Sequence, residues 1–146
     1  MTSIGRAAIL GMIPHQGAMC LLDEVLEWDG SRVRCLSRRY AQADNPLRRA
    51  DGRLGSACGI EIAAQAMAVH GRLAGGESGA PVPGLLVSLR EVRLEVPFLS
   101  GAVEPLLVEA RRLMENGSGA TYEFTVSAAA ETWLGGRATV LFGAKQ

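Results

Sequence analysis

The chain has 146 residues, enough for one domain with a sizeable core, and its formal net charge is +0. With 48% hydrophobic and 21% charged residues it has the make-up of an ordinary soluble globular protein, and nothing in the balance points to nucleic acid or an anionic membrane. The cysteines are Cys20, Cys35 and Cys58, odd in number and without metal-ligand spacing, so no metal site is expected.

Met1 to Ile13 carries Arg6 but lacks the apolar core and small-residue cleavage pattern of a secretory leader. No segment is long and apolar enough to span a bilayer. A reducing cytoplasm is the expected location. Ile9 to Leu22 is interrupted by Pro14 and Gly17, which predicts a short helix or turn around Gly17 to Leu22. Asp23 to Trp28 begins a strand, Asp29-Gly30 is a hairpin signal, and Ser31 to Tyr40 runs back as a second strand. Ala41 to Gly55 is polar and broken, with Asn45-Pro46 and Asp51-Gly52 as turn dipeptides, and reads as a loop.

Ser56 to Leu73 is the one long window with helical character and no strand alternation. It is small or apolar almost throughout, which predicts a helix gripped on several sides. Glu61, Gln65 and His70 stand in this dry stretch, with Glu61 and Gln65 one turn apart on one face. A buried carboxylate is costly unless paired, protonated or used, which makes Glu61 a candidate for chemistry. Capping of the helix start is the competing reading, since a start near Cys58 would put Glu61 at the capping position. Gln65 and His70 read more simply as satisfied structural residues. His70 lies about 13 Å further along the axis, where it can bond the last carbonyls. Cys58 reads as a small buried residue, with an activated thiolate at the helix start as the alternative.

Ala74 to Gly84 is a Gly- and Pro-rich connector. Leu85 to Val96 alternates as a strand, but the apolar parity slips by one between Leu89 and Val92, which predicts a bulge near Arg90-Glu91. Pro97 ends it. Val103 to Met114 is a further strand, and Asn116 to Gly119 turns the chain. Tyr122, Phe124, Val126 and Ala128 then alternate cleanly with polar residues. A last strand runs from Trp133 to Phe142. The order is two strands, one long buried helix and four strands in a single domain, 1–146. That is α+β, with a curved antiparallel sheet wrapped around one long central helix.

That architecture resembles the hotdog fold, and two motifs narrow the resemblance. Ile13-Pro14-His15 followed by Leu21-Leu22-Asp23-Glu24-Val25 resembles the start of the 3-hydroxyacyl-acyl-carrier-protein dehydratases of fatty-acid synthesis. Ile60-Glu61-Ile62-Ala63-Ala64-Gln65-Ala66 resembles their central helix, and Leu85 to Leu99 their strand ending in proline. Pro14-His15-Gln16-Gly17-Ala18-Met19 with Asn45-Pro46-Leu47 is more similar to the dehydratase-like branch of aryl-polyene pigment clusters. One feature departs from the ordinary dehydratases. Their catalytic histidine lies in the loop before the central helix, and the loop from Ala43 to Gly55 has none.

The resemblance implies dehydration of 3-hydroxyacyl thioesters carried on the phosphopantetheine of acyl carrier protein, with no dissociable cofactor or metal. His15 is then the candidate base, an imidazole being suited to proton transfer near neutrality; its bland reading is a turn residue bonding nearby backbone. Glu61 is the candidate acid, kept protonated by desolvation. Backbone N–H groups of Ser56, Ala57 and Cys58 are expected to polarise the thioester carbonyl. Gln65 is expected to orient Glu61 or the hydroxyl, and Asn45 to orient substrate unless it only starts a turn. The resemblance also implies a homodimer with His15 and Glu61 meeting across chains, and acidic carrier protein meeting the arginines near Arg48, Arg49 and Arg53. A heterodimer with another hotdog protein, a hotdog thioesterase and a non-catalytic carrier-binding partner are the alternatives.

Overall fold

The computed structural model describes residues 3–38, 40, 42, 44–75, 84–99, 105–116 and 118–142. Seven strands form one antiparallel sheet. They are β1 (Ile4–Gly5), β2 (Glu24–Trp28), β3 (Arg32–Ser37), β4 (Gly84–Leu94), β5 (Leu106–Asn116), β6 (Gly119–Ala128) and β7 (Glu131–Phe142). The spatial order is β1-β2-β3-β5-β6-β7-β4, so β1 and β4 are the edges. A short helix α1 (Arg6–Leu10) follows β1, and the long helix α2 (Cys58–Gly75) lies against β3, β5, β6 and β7. This is the expected hotdog arrangement, a curved sheet around one helix.

The alternation in the sequence decides which faces meet. On β6, Ala120, Tyr122, Phe124, Val126 and Ala128 are buried, and the residues between them are half-exposed. On α2, Ile62, Ala63, Gln65, Ala66, Met67, Val69 and His70 are buried, whereas Glu61, Ala64 and Ala68 form a half-open stripe. The helix is thus gripped on most sides but not all. Gly59 lets α2 approach β7, because a Cβ there would lie 2.5 Å from Leu134 Cδ2.

Strand β3 stops at Ser37, short of the expected Tyr40. The pairing of β4 with β7 shifts between Arg90 and Arg93, the bulge that the parity slip predicts, with Glu91 at φ 54. A second shift falls between Leu86 and Ser88. The expected connector falls largely in 76–83, and the expected start of the next strand in 101–104; both lie outside the described residues. Gly117 of the expected Asn116–Gly119 turn does as well. Strand β1 and helix α1 were not expected; two residues pairing with Val25 and Glu24 are too short to show periodicity. No helix among the described residues is long and apolar enough to cross a membrane.

Candidate active site

Two chain segments meet at the first turn of α2. The first is the start of the helix itself, held by main-chain bonds to the segment after β4. Ser56 N–H donates to Pro97 O at 3.0 Å, Leu99 N–H donates to Leu54 O at 2.8 Å, and Gly55 bridges Phe98. The second segment is a strap, residues 11–23, between α1 and β2. It contains only a three-residue 3-10 turn, Gly17–Met19, so side chains supply much of its bonding. Gln16 Nε2 donates to Leu10 O and Ile13 O, at 2.7 and 3.2 Å. Ser37 Oγ donates to Leu21 O at 2.6 Å. Ile13, Cys20, Leu21 and Leu22 anchor the strap in the core.

Gln65 joins the two segments. Its Oε1 accepts from Leu21 N–H at 2.8 Å, and its Nε2 donates to Met19 O at 2.9 Å and to Glu61 Oε1 at 3.3 Å. The carboxamide is buried and used on both ends, which fixes its orientation. His15, carried by the strap, then places Nε2 3.1 Å from Glu61 Oε1. The two side chains remain 30% and 36% exposed, so the pair is reachable. His15 and Glu61 therefore meet within one chain, which corrects the expectation that they meet across two.

Helix α2 begins at Cys58, so the capping-box position is Ile60 and Glu61 lies one residue beyond it. Its carboxylate serves His15 and Gln65, not the helix start. The hydrogen bond from His15 is the largest influence on Glu61 and holds its carboxyl below the usual carboxylate value; burial opposes this, and Gln65 reinforces it. Glu61 is accordingly ionised at neutral pH. This reverses the expectation that desolvation keeps it protonated. The carboxylate can only accept, so His15 Nε2 is the donor of this contact, and His15 Nδ1 is buried with no partner among the described residues. Both contacts fall on Oε1 of Glu61, leaving Oε2 for other use.

The other expected residues are placed as follows. Cys58 N–H donates to Gly55 O and Ser56 N–H to Pro97 O. Of the three expected amides, only that of Ala57, which is exposed one turn before Glu61, has no acceptor among the described residues. The Cys58 thiol is pushed up by burial first and by Glu61 second, so it stays a thiol and is no activated nucleophile. Asn45 Nδ2 donates to Tyr40 O and its Oδ1 accepts from Leu47 N–H, which engages the side chain within its own loop. His70 is bound to Tyr122 and Asp29, far from the pair. Arg53 and Arg49 lie over the Phe98 ring, 4.3 and 5.8 Å from its centroid, and Arg53 pairs with Asp51 at 2.8 Å. Among the described residues no group of His, Cys, Asp and Glu gathers as a metal site.

The sequence reading missed Arg6, whose guanidinium also reaches the strap. Its signal was available: no other Asp, Glu, Lys or Arg precedes Asp23.

The dehydratase heterocomplex ApeI:P from Xenorhabdus doucetiae is similar in structure, with a TM-score of 0.81 at 25% identity over 94% of this chain and 91% of that one. The protein PH1136 from Pyrococcus horikoshii gives 0.63 at 14% identity over 100% and 98%. A mutant of the thioesterase PA1618 from Pseudomonas aeruginosa gives 0.60 at 10% identity over 86% and 84%. The last two share the fold alone. No curated protein matches the chain. The family model described as ApeP-like, ApeP dehydratase, matches residues 7–144. With nearly its whole length matched in this way, the chain belongs to the ApeP-like dehydratase family.

Proposed function

We propose that this chain dehydrates 3-hydroxyacyl thioesters tethered to acyl carrier protein, with Glu61 as the proton-transferring group and His15 holding it in place. The observation that carries the reading is the 3.1 Å contact between His15 Nε2 and Glu61 Oε1. Glu61 Oε2 takes the proton next to the thioester carbonyl. The C–H pair forms the new double bond, the C3–O bond breaks, and the hydroxyl leaves as water with the proton returned from the same carboxyl. His15 and Gln65 hold Oε1 throughout, so the carboxylate does not reorient between the two transfers. In this reading the exposed Ala57 amide, at the positive end of α2, polarises the carbonyl. No step requires a metal or a dissociable cofactor.

The partner reading rests on β4. Leu86, Leu89 and Leu94 face the same side as the buried Val140, Ala138 and Leu134 of β7, yet remain 38%, 41% and 48% exposed. An edge strand with an apolar inner face calls for a cover. A second hotdog chain, either a copy or a different one, supplies it in this reading, and the heteromeric Xenorhabdus relative supports the second option. Arg49 and Arg53, beside the start of α2, suit an acidic carrier protein.

The experiment is mass spectrometry of a 3-hydroxyacyl carrier protein incubated with the purified chain in a cytoplasm-like reducing buffer. Loss of one water from the acyl group supports a dehydratase. Release of free acid would mark a thioesterase. An unchanged carrier, with this chain alone and with a co-purifying hotdog partner, would rule the catalytic reading out.

A further inference from the structure

The strap that carries His15 has two grips. Gln65 and Ser37 hold it from the core side, through Met19 and Leu21. Arg6, the first residue of α1, holds it from the outside. Its Nη1 donates to Cys20 O at 2.7 Å and to Leu22 O at 3.0 Å, and its Nη2 donates to Gly17 O at 2.8 Å. One planar guanidinium therefore fixes three carbonyls of the strap relative to one another. Gly17, two residues after His15, is in the left-handed region at φ 58 and opens the 3-10 turn, and Arg6 bonds its carbonyl. Without the fork, Cys20 O would lose the donor it has in Arg6, Gly17 O would keep only the N–H of Cys20 and Leu22 O only the Cys20 thiol, and the strap has little secondary structure to compensate.

We propose that Arg6 is a positioning residue: by binding the carbonyls of Gly17, Cys20 and Leu22 it sets the strap so that His15 stands against Glu61. What the pair does once set rests on the dehydratase reading. The positioning itself can be read without turnover.

The test is a carboxyl-carbon NMR titration of Glu61 in the full chain, with the ring protons of His15 and His70, its two histidines, as companions. The variants are Arg6→Lys, whose single ammonium cannot span the fork, and Arg6→Gln. In both, the His70 ring signals are expected to stay in place, reporting an intact core, while those of His15 move. Glu61 is expected to titrate higher, toward its ordinary 4.5, because its largest stabilising contact is lost. Where turnover is measured, kcat falls by up to about a hundredfold, the scale of a small misplacement, and KM changes little. Folded variants in which Glu61 titrates as before would overturn the proposal. So would an Arg6→Lys chain that does not fold, because Arg6 would then be a determinant of the whole fold. A shifted Glu61 in the variants, with no turnover by the unsubstituted chain either alone or with a co-purifying hotdog partner, would keep the positioning role and remove the dehydratase reading.

Discussion

Tyr122 OH and His70 Nδ1 stand 2.7 Å apart with both side chains fully buried, their rings edge to face. His70 Nε2 faces the carbonyl of Asp29 at 2.8 Å. The carbonyl can only accept, so Nε2 carries the proton, Nδ1 accepts, and Tyr122 donates. One imidazole thereby ties α2 to β6 and to the β2–β3 turn. Arg112 holds the same turn through Gly30 O.

Burial depresses His70 below its ordinary 6.5, and Arg112 adds to this, while Asp29 and Glu115 oppose it. A base with a depressed folded value contributes stability above its unfolded value and loses it as pH falls. Unfolding experiments between pH 7.5 and 5 should therefore show stability declining below about 6.5. At the other end, burial pushes Tyr122 up to about 12, so stability present below about 10 is lost as pH rises toward 12. Tyr122→Phe should cost about 1–3 kcal/mol, because the buried Nδ1 loses its donor. A flat profile through both windows would show that the clamp contributes nothing.

Removing the reacting carboxylate should remove turnover. Glu61→Gln is expected to lower activity about 100-fold or more while leaving the thermal transition nearly in place. His15→Gln is expected to leave a weakened enzyme whose acidic limb moves upward in pH, since His15 is the main influence holding Glu61 down. An acidic limb that does not move would detach Glu61 from that limb.

The close approach of α2 to β7 is testable by one methyl group. Gly59→Ala puts a Cβ 2.5 Å from Leu134 Cδ2 and 3.1 Å from Cδ1, so a buried leucine must shift. The expected cost is about 1–3 kcal/mol in urea unfolding. Pairing it with Leu134→Ala should recover part of that, and strictly additive costs would mean that the two residues do not compete for space.

Leu89→Asp places a charge on the apolar inner face of β4. Light scattering on size-exclusion chromatography should show the assembly fall to single chains. The core should persist, since Leu89 is exposed within one chain. A wild-type particle already the size of one chain would remove the partner reading.

How much could be read from the sequence depended on whether a residue's neighbours were local. Strand β6 was legible because one face is dry and the other wet, and the β4 bulge because parity cannot slip without an extra residue. Glu61 could be singled out for the same reason, as an acid in a dry helix. The sign of its shift could not, because composition reveals desolvation but not a hydrogen bond from a strap far away in sequence. The same holds for Asn45, whose partners Tyr40 and Leu47 are local but whose burial is not. Strand β1 exists only through its pairing with β2, so nothing in its own two residues announces it.

Because the histidine and the acid belong to one polypeptide, each subunit brings a whole pair to any assembly. Mixing a chain lacking His15 with a chain lacking Glu61 should therefore restore nothing, however well the two associate. In a heteromer, poisoning this chain alone would silence its own centre and leave any centre in the other subunit to be counted separately.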